Sequence, residues 1–397
     1  MDRSAVLEIA AAARVRKPVS GLTHGFYKYP ARFSPFFARA AIKALTTPGD
    51  IVLDPFVGGG TTLVEARVLG RRAIGADISP LAVFVSQAKT TLLSEADCSA
   101  IEAWADGLLD CLNLRRPATD VPRSIRHGYQ RNISGRQTWP IRKALELALE
   151  RALRLPNARQ QRFARCVLLK TAQWALDCRR YIPSTAEFRE ELMATIGRML
   201  PAARQFSAAA RRADRWSPAD GLFRTLCLNC SASALADHPR MGLGPAPRLI
   251  LTSPPYPGVH VVYHRWQVQG RHETPAPFWL ANTLDGNAES FYTFGERRER
   301  GLTTYYQRAL SAFGALSRIA DSKTILVQLV GFADPSWQLP RYLAVMEEAG
   351  FQEIELGRHG RSSDTRPWRE VPNRRWYADQ KGSLATTREV VLFHHLA

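Results

Sequence analysis

Lysine is scarce in this chain: only eight of its 54 basic residues are lysines, and the other 46 are arginines. Long apolar runs are missing as well. No window reaches the ~18 uninterrupted apolar residues that a spanning helix needs, so no membrane residence is expected. Paired-cysteine frameworks are absent. Cys98, Cys111, Cys166, Cys178, Cys227 and Cys230 are scattered, and only Cys227 and Cys230 stand at C-x-x-C, with no second pair at metal spacing. A structural role for that pair is preferred to a zinc or redox role, and a reducing cytoplasm suits all six thiols. The nine histidines show no H-E-x-x-H or similar spacing, so no metal is expected. The opening MDRSAVLEIAAAARVRK carries acids inside an alanine-rich run and is not built like a secretion signal. Internal repeats and low-complexity tracts are also absent.

What is present is enough to fold. The 397 residues are 45% apolar, which excludes global disorder and predicts two or three domains by length alone. The formal charge is +18, carried mostly by the side chain suited to forked contacts with phosphates and base edges. That charge is concentrated. Residues 121–180 hold fourteen basic and three acidic residues, and 358–375 add six arginines against two acids, leaving a nearly neutral remainder. Two basic regions on a neutral body point to a polyanion-binding surface; the competing reading is an arginine-rich composition spread over solvated helix faces.

The segment from Pro48 to Pro80 is the clearest in local pattern. IVLD is a short apolar run ending in an acid, PFVGGGTT a glycine turn, TTLVEARVLG a helix closed by glycine, and AIGAD a second apolar run ending in Asp77. Strand, glycine turn, helix and strand make one β-α-β unit with a parallel pair. Residues 96–221 change character, with Ala, Leu, Arg and Glu recurring at spacings of three and four, as amphipathic helices require. Strand patterns resume at LFRTLCLN, RLILT, KTILVQLVGF and REVVLFHH, with a helix predicted over RYLAVMEEAGF. The simplest architecture is one α/β domain, made of 1–95 and 222–397, interrupted by a basic helical insertion.

Two constellations carry chemistry. Gly58, Gly59 and Gly60 follow a strand and open a helix, where backbone can approach a ligand and free amides face an anionic group. Asp77 stands 19 residues after Gly58, near the spacing expected of an acid that holds ribose hydroxyls. The dinucleotide fingerprint is not met, because Asp54-Pro55-Phe56 precedes the glycines and no third spaced glycine follows. The second constellation is Thr252-Ser253-Pro254-Pro255-Tyr256, at the C-terminal end of a strand, where open α/β sheets bind ligands. Its prolines remove backbone donors and leave carbonyls outward. A hydroxyl, carbonyls and an aromatic ring suit a flat ligand bearing an amino group; an ordinary turn with its tyrosine in the core is the alternative.

DPFVGGGTT, GADISP and TSPPY in one chain resemble the signature of amino-methylating DNA methyltransferases. HGFYKYPARFSPFFARAAIKAL resembles the element that precedes the first strand of these enzymes and helps hold the methionine end of their cofactor. The resemblance covers most of 21–95 and 222–397. It implies a Rossmann-like class I methyltransferase sheet and S-adenosyl-L-methionine as cofactor. Tyr27, Lys28, Pro30, Asp54, Pro55, Phe56, Gly58, Gly60, Thr61, Asp77, Ile78 and Asn229 would lie at the cofactor. Ser253, Pro254, Pro255 and Tyr256 would hold the target base. The chain departs from the family at Asn229, where an acid is usual, and at Arg248, before the SPPY strand.

The implied reaction is direct, in-line methyl transfer to an exocyclic amino group, without a covalent cysteine intermediate. Its substrate would be double-stranded DNA at a specific site, with the base flipped out and Tyr256 stacking on it. S-P-P-Y favours cytosine N4 over adenine N6. Tyr263, His264, Arg265, Trp266 and Arg271 follow directly as base contacts or, for the aromatics, as core. An RNA base methyltransferase and a non-catalytic nucleic-acid-binding protein are the competing classes, and a cognate restriction or defence nuclease is a possible partner.

Overall fold

The computed structural model describes residues 2–17, 19–29, 34–115, 128–215, 223–242, 244–258, 265–270, 272–282, 294–295, 299–356, 364–371 and 387–397. The β-α-β unit forms as its pattern predicts. Strand β1 (Ile51–Asp54) leads through helix α3 (Thr61–Val68) into β2 (Arg72–Asp77), which pairs with β1 in parallel. Two helices precede it, α1 (Arg3–Ala13) and α2 (Pro35–Leu45), the latter capped by Ser34 with Pro35 at its first turn.

The remaining strands are β3 (Thr225–Asn229), β4 (Leu249–Thr252), β5 (Trp266–Val268), β6 (His272–Thr274), β7 (Ile325–Gly331), β8 (Phe351–Glu353), β9 (Trp368–Val371) and β10 (Thr387–Leu396). All but β5 and β6 join one sheet in the order β3-β2-β1-β4-β7-β10-β8, with β9 also on β10. β3, β2, β1, β4 and β7 run parallel, and β10 enters antiparallel between β7 and β8. This is the Rossmann-like class I methyltransferase sheet that the resemblance implied. The order reverses between β1 and β4, so a crevice opens at the C-terminal ends of those two strands.

β1 and β4 are buried along their whole length, as parallel strands covered on both faces must be. Val52, Leu249, Leu251, Val327 and Leu329 face α1, α2 and α3. Leu53, Ile250, Leu326 and Val330 point the other way, against α11 (Thr303–Ser317) and α12 (Pro335–Glu348). The helix predicted over RYLAVMEEAGF therefore starts earlier than its pattern suggests. Asp334 caps it, Pro335 opens it, and Pro340 is carried inside.

Between β2 and β3 the chain is helical: α4 (Pro80–Thr90), α5 (Glu95–Asp106), the short α6 (Leu108–Cys111), α7 (Trp139–Leu153), α8 (Ala158–Leu176) and α9 (Thr185–Asp214). These helices share one apolar core with Phe26, Tyr27, Tyr29, Trp266 and the short helix α10 (Ala276–Ala281). The upstream element and the segment after SPPY thus pack on the helical block, not only on the sheet. Among the described residues no helix is long and apolar enough to cross a membrane.

Candidate active site

The glycine turn is fixed by its close contacts. Gly58 and Gly60 take φ of +44° and +73°, conformations that side-chain-bearing residues rarely adopt. A Cβ on Gly60 would stand 2.8 Å from Ser86 Oγ and 3.0 Å from Ser86 Cα on α4, and one on Gly59 would stand 3.1 Å from Tyr29 Cβ. The carbonyls of the turn are held from behind: Lys89 Nζ donates to Gly59 O at 2.6 Å and Ser86 Oγ to Gly58 O at 3.2 Å. The turn consequently enters α3 with a bare backbone, Thr61 as its first helical residue, and Tyr29 packed against the glycines.

Asp77, at the end of β2, accepts from Gly58 N–H at 3.0 Å and from Ser79 N–H at 2.9 Å, one bond to each carboxylate oxygen. Burial raises its pKa to about 6 against the opposing effect of those two donors. Next to it Ile78 is 43% exposed and Phe56 half-buried, so two apolar side chains and a carboxylate face the open end of the sheet.

Asp54 lies deeper and is 1% exposed. Its Oδ1 accepts from Phe56 N–H at 3.2 Å and from Thr252 Oγ1 at 2.8 Å, and its Oδ2 accepts from Thr62 Oγ1 at 2.7 Å. Burial pushes its pKa up to about 6 despite these three donors. Asp54 therefore does not line the crevice as the resemblance implied; it clamps the glycine turn, the start of α3 and the end of β4 to one another.

The SPPY turn sits directly across the crevice. Ser253 Oγ donates its single hydrogen to Leu329 O at 2.9 Å and stands 3.0 Å from Tyr256 Oη, so the serine oxygen keeps its lone pairs as acceptors. Tyr256 Oη donates its one hydrogen to Glu389 Oε1 at 3.0 Å, and Glu389 Oε2 accepts from Arg369 Nε at 2.6 Å. Burial and then the Glu389 charge hold the Tyr256 phenol well above its ordinary pKa, so it is a neutral donor. The Tyr256 ring lies over Gly331, where a Cβ would meet it at 2.8 Å. Pro254 is buried and Pro255 half-buried, and the Pro255 carbonyl accepts from Tyr305 Oη at 2.7 Å. That carbonyl is not free as its exposed-turn reading suggested.

Several residues named from sequence stand elsewhere than expected. Tyr27 is 2% exposed, and its hydroxyl accepts from Trp266 Nε1 at 3.0 Å, so it supports Tyr29 from the helical core. Of the two readings held for Trp266, base contact or core, the core one fits, since the ring is 2% exposed in the helical core. Lys28 is exposed, and its backbone N–H and carbonyl are both bonded to the Gln173 amide at 3.0 Å. Asn229 Nδ2 donates to the Asp77 and Ile78 carbonyls, which makes it a brace for the acidic turn. Arg248 donates to the Lys323 carbonyl, away from the crevice. Pro30, Tyr263, His264 and Arg271 lie outside the described residues.

Four residues at the site are not singled out from sequence: Tyr29, Lys89, Arg369 and Glu389. Glu389 and Arg369 reach Tyr256 only because β10 inserts beside β7, more than 130 residues after the SPPY turn. Tyr29 lies in the upstream motif HGFYKYPARF and Lys89 on α4, and only the fold brings both against the glycine turn. Cys227 is half-buried with its thiol pushed up to about 12 by burial, and among the described residues no three His, Cys, Asp or Glu cluster as metal ligands.

Comparison with known proteins finds the same region. Residues 11–87 match the family model described as DNA methylase. The chain is 37% identical over 90 residues to the Type II methyltransferase M.MjaII of Methanocaldococcus jannaschii, a match covering 23% of this chain and 16% of that protein. It is 37% identical over 81 residues to the Type II methyltransferase M.MvaI of Kocuria varians, covering 20% and 18%. A tRNA (guanine(10)-N2)-dimethyltransferase of M. jannaschii is 47% identical over 53 residues, covering 13% and 15%. The matched stretches span less than a fifth of these relatives' lengths. The resemblance to DNA amino-methyltransferases holds over the segment that carries the upstream element, the glycine turn and Asp77.

Proposed function

We propose that this chain is a DNA methyltransferase that uses S-adenosyl-L-methionine to methylate an exocyclic base amino group, cytosine N4 foremost. The observation that carries the proposal is the junction of the two motifs. The hydroxyl of Ser253 and the bare glycine turn stand at neighbouring strand ends, locked together by the Asp54–Thr252 hydrogen bond.

The residues fit the cofactor. The glycine turn, packed on one side by Tyr29 and Ser86, presents backbone and no side chains of its own, Asp77 retains acceptor capacity for ribose hydroxyls, and Ile78 and Phe56 offer apolar surface to a purine ring. When bound, the cofactor supplies a sulfonium-borne methyl electrophile. An exocyclic amino group is a weak nucleophile because its lone pair is delocalised into the ring. Ser253 Oγ, whose own hydrogen goes to Leu329 O, accepts from one amino N–H and draws the lone pair out of conjugation. The Tyr256–Glu389–Arg369 chain holds that hydroxyl in place, so positioning and electrostatics supply the rate. Reaching a paired base requires flipping it from the duplex.

The second reading, an RNA base methyltransferase, is favoured by the match to a tRNA methyltransferase. Intact glycines and an intact SPPY turn speak against a purely binding role. The Type II relatives make a restriction–modification setting with a cognate nuclease the natural context. Transfer of labelled methyl groups from the cofactor to duplex DNA, with tRNA as the parallel substrate, tests the proposal. Incorporation into RNA alone rejects the DNA assignment. Single-molecule sequencing of DNA from an expressing host reports base and site together, and adenine N6 marks would reverse the N4 preference.

A further inference from the structure

The β5–β6 hairpin begins ten residues after Tyr256, and three segments of the molecule converge on it. Its inner face is buried: Trp266 and Val268 enter the helical core, and Trp266 bonds to Tyr27, which packs on Tyr29 against the glycine turn. Its outer edge is tied to the turn between α8 and α9. Cys178 N–H donates to Gln267 O at 2.8 Å, Gln267 N–H donates to Asp177 Oδ1 at 3.1 Å, and Arg179 forms a β-bridge to Val268. A third segment, before α7, reaches the hairpin through Asn132 Nδ2, which donates to Glu273 O at 2.7 Å, and through a Gln269–Gln137 hydrogen bond.

This convergence gathers cations and rings on one surface. Arg131, Arg136 and Arg180 are exposed, and among the described residues no carboxylate lies within ion-pair distance of them. Arg179 stacks over Trp174 with its guanidinium carbon 4.4 Å from the ring centre, and Arg180 stands 5.9 Å from the ring of Tyr181. Tyr181 is 78% exposed, the highest of the large apolar and aromatic side chains among the described residues. The acids nearby are already engaged: Asp177 by the Gln267 backbone, Glu273 by Arg265 at 3.3 Å, and Glu187, whose pKa the Ser184 cap and then the Arg179 charge lower, by the backbone and hydroxyl of Ser184. A left-handed Cys178, φ +56°, turns the chain so that Arg179 meets the hairpin and Arg180 and Tyr181 face solvent.

We infer that this composite surface grips the DNA beside the target base. Unpaired arginines supply phosphate contacts, and Tyr181 with its neighbouring guanidiniums supplies a stacking platform for an unpaired base. The hairpin joins the surface to both halves of the site, since its sequence continues from the SPPY turn and its core side rests on the element covering the glycines. The inference rests on the proposed DNA reading and adds where the strand is held.

The test compares the full chain with two double variants, Arg180→Ala/Tyr181→Ala and Arg131→Ala/Arg136→Ala. All four side chains are exposed, and their removal leaves the core intact. Binding of a fluorescein-labelled duplex carrying the methylated site is titrated over a range of salt, with cofactor binding measured in parallel. Each variant is expected to lose roughly tenfold in DNA affinity with unchanged cofactor affinity. The slope of log affinity against log salt should flatten by about 0.9 for each arginine that contacts a phosphate. A wild-type chain that methylates DNA beside variants with its affinity and slope overturns the surface. A wild-type chain that neither binds nor methylates DNA overturns the proposed function instead, and loss of RNA binding alone reassigns the surface away from DNA.

Discussion

Asp54 at the end of β1 accepts a 2.8 Å hydrogen bond from the hydroxyl of Thr252 at the end of β4, across 198 residues of sequence. The bond is buried and charge-assisted, and it ties the glycine turn to the SPPY turn. The proposed methyl transfer depends on the spacing of those two turns, because misplacement of about an ångström is costly in rate.

Thr252→Val is therefore expected to cost roughly 1.5–3 kcal/mol of stability, the worth of a hydrogen bond to a buried charge. It should also lower kcat more than it changes cofactor affinity. Denaturant titration and single-turnover transfer read the two effects. A variant with wild-type kcat would mean that Thr252 is only a strand-end residue.

Ser253→Ala should leave cofactor affinity within about twofold and lower kcat by roughly a hundredfold, as removal of a positioned group acting on the reacting centre does. Calorimetry on the cofactor and transfer of labelled methyl to DNA separate these quantities. Parallel loss of both would contradict the assignment.

Asp77 accepts backbone N–H bonds through its ionised carboxylate, and burial raises its pKa to about 6. Protonation removes acceptors, so cofactor affinity should be level above pH 7 and should weaken as pH falls through 6. Asp77→Asn, which has no such proton to gain, should bind weakly at every pH and lose the dependence. Cofactor titrations at pH 5.5 and 7.5 on both proteins decide it.

Glu389→Gln keeps the shape of the side chain but removes the charge that Arg369 and the Tyr256 phenol both address. The expectation is a fall in kcat of about tenfold with KM for the cofactor unchanged. Glu389→Asp should recover less than the wild type because its shorter arm does not span the same gap. A fall in folding stability with normal kcat would make the chain purely structural.

Gly60→Ala introduces a Cβ 3.0 Å from Ser86 Cα at a φ of +73°. Strain and contact together should destabilise the protein by roughly 1–3 kcal/mol and weaken cofactor binding. Gly25→Ala, where a Cβ meets nothing within 4 Å, is the control and should be neutral.

The linear sequence determined what local chemistry can determine. The glycine turn, the acid at the end of β2 and the strand-end SPPY follow from spacing and backbone freedom and formed where those patterns placed them, and the apolar period of 96–221 corresponds, among the described residues, to helices α5 to α9. Only the tertiary structure decided what touches what. Asp54 reads like a crevice residue, yet three donors from different elements draw it inward; Tyr27 reads like a ligand contact, yet its ring completes the helical core, and Trp266, legible either as a base contact or as core, joins it there. Glu389 reads as one more strand residue until β10 inserts antiparallel beside β7 and brings it to Tyr256. The scarcity of lysine gave a chain of arginines without saying which of them are free. Folding decided that, by pairing some with buried carboxylates and leaving others beside exposed rings, because side-chain pairing is fixed by proximity in space and not by order along the chain.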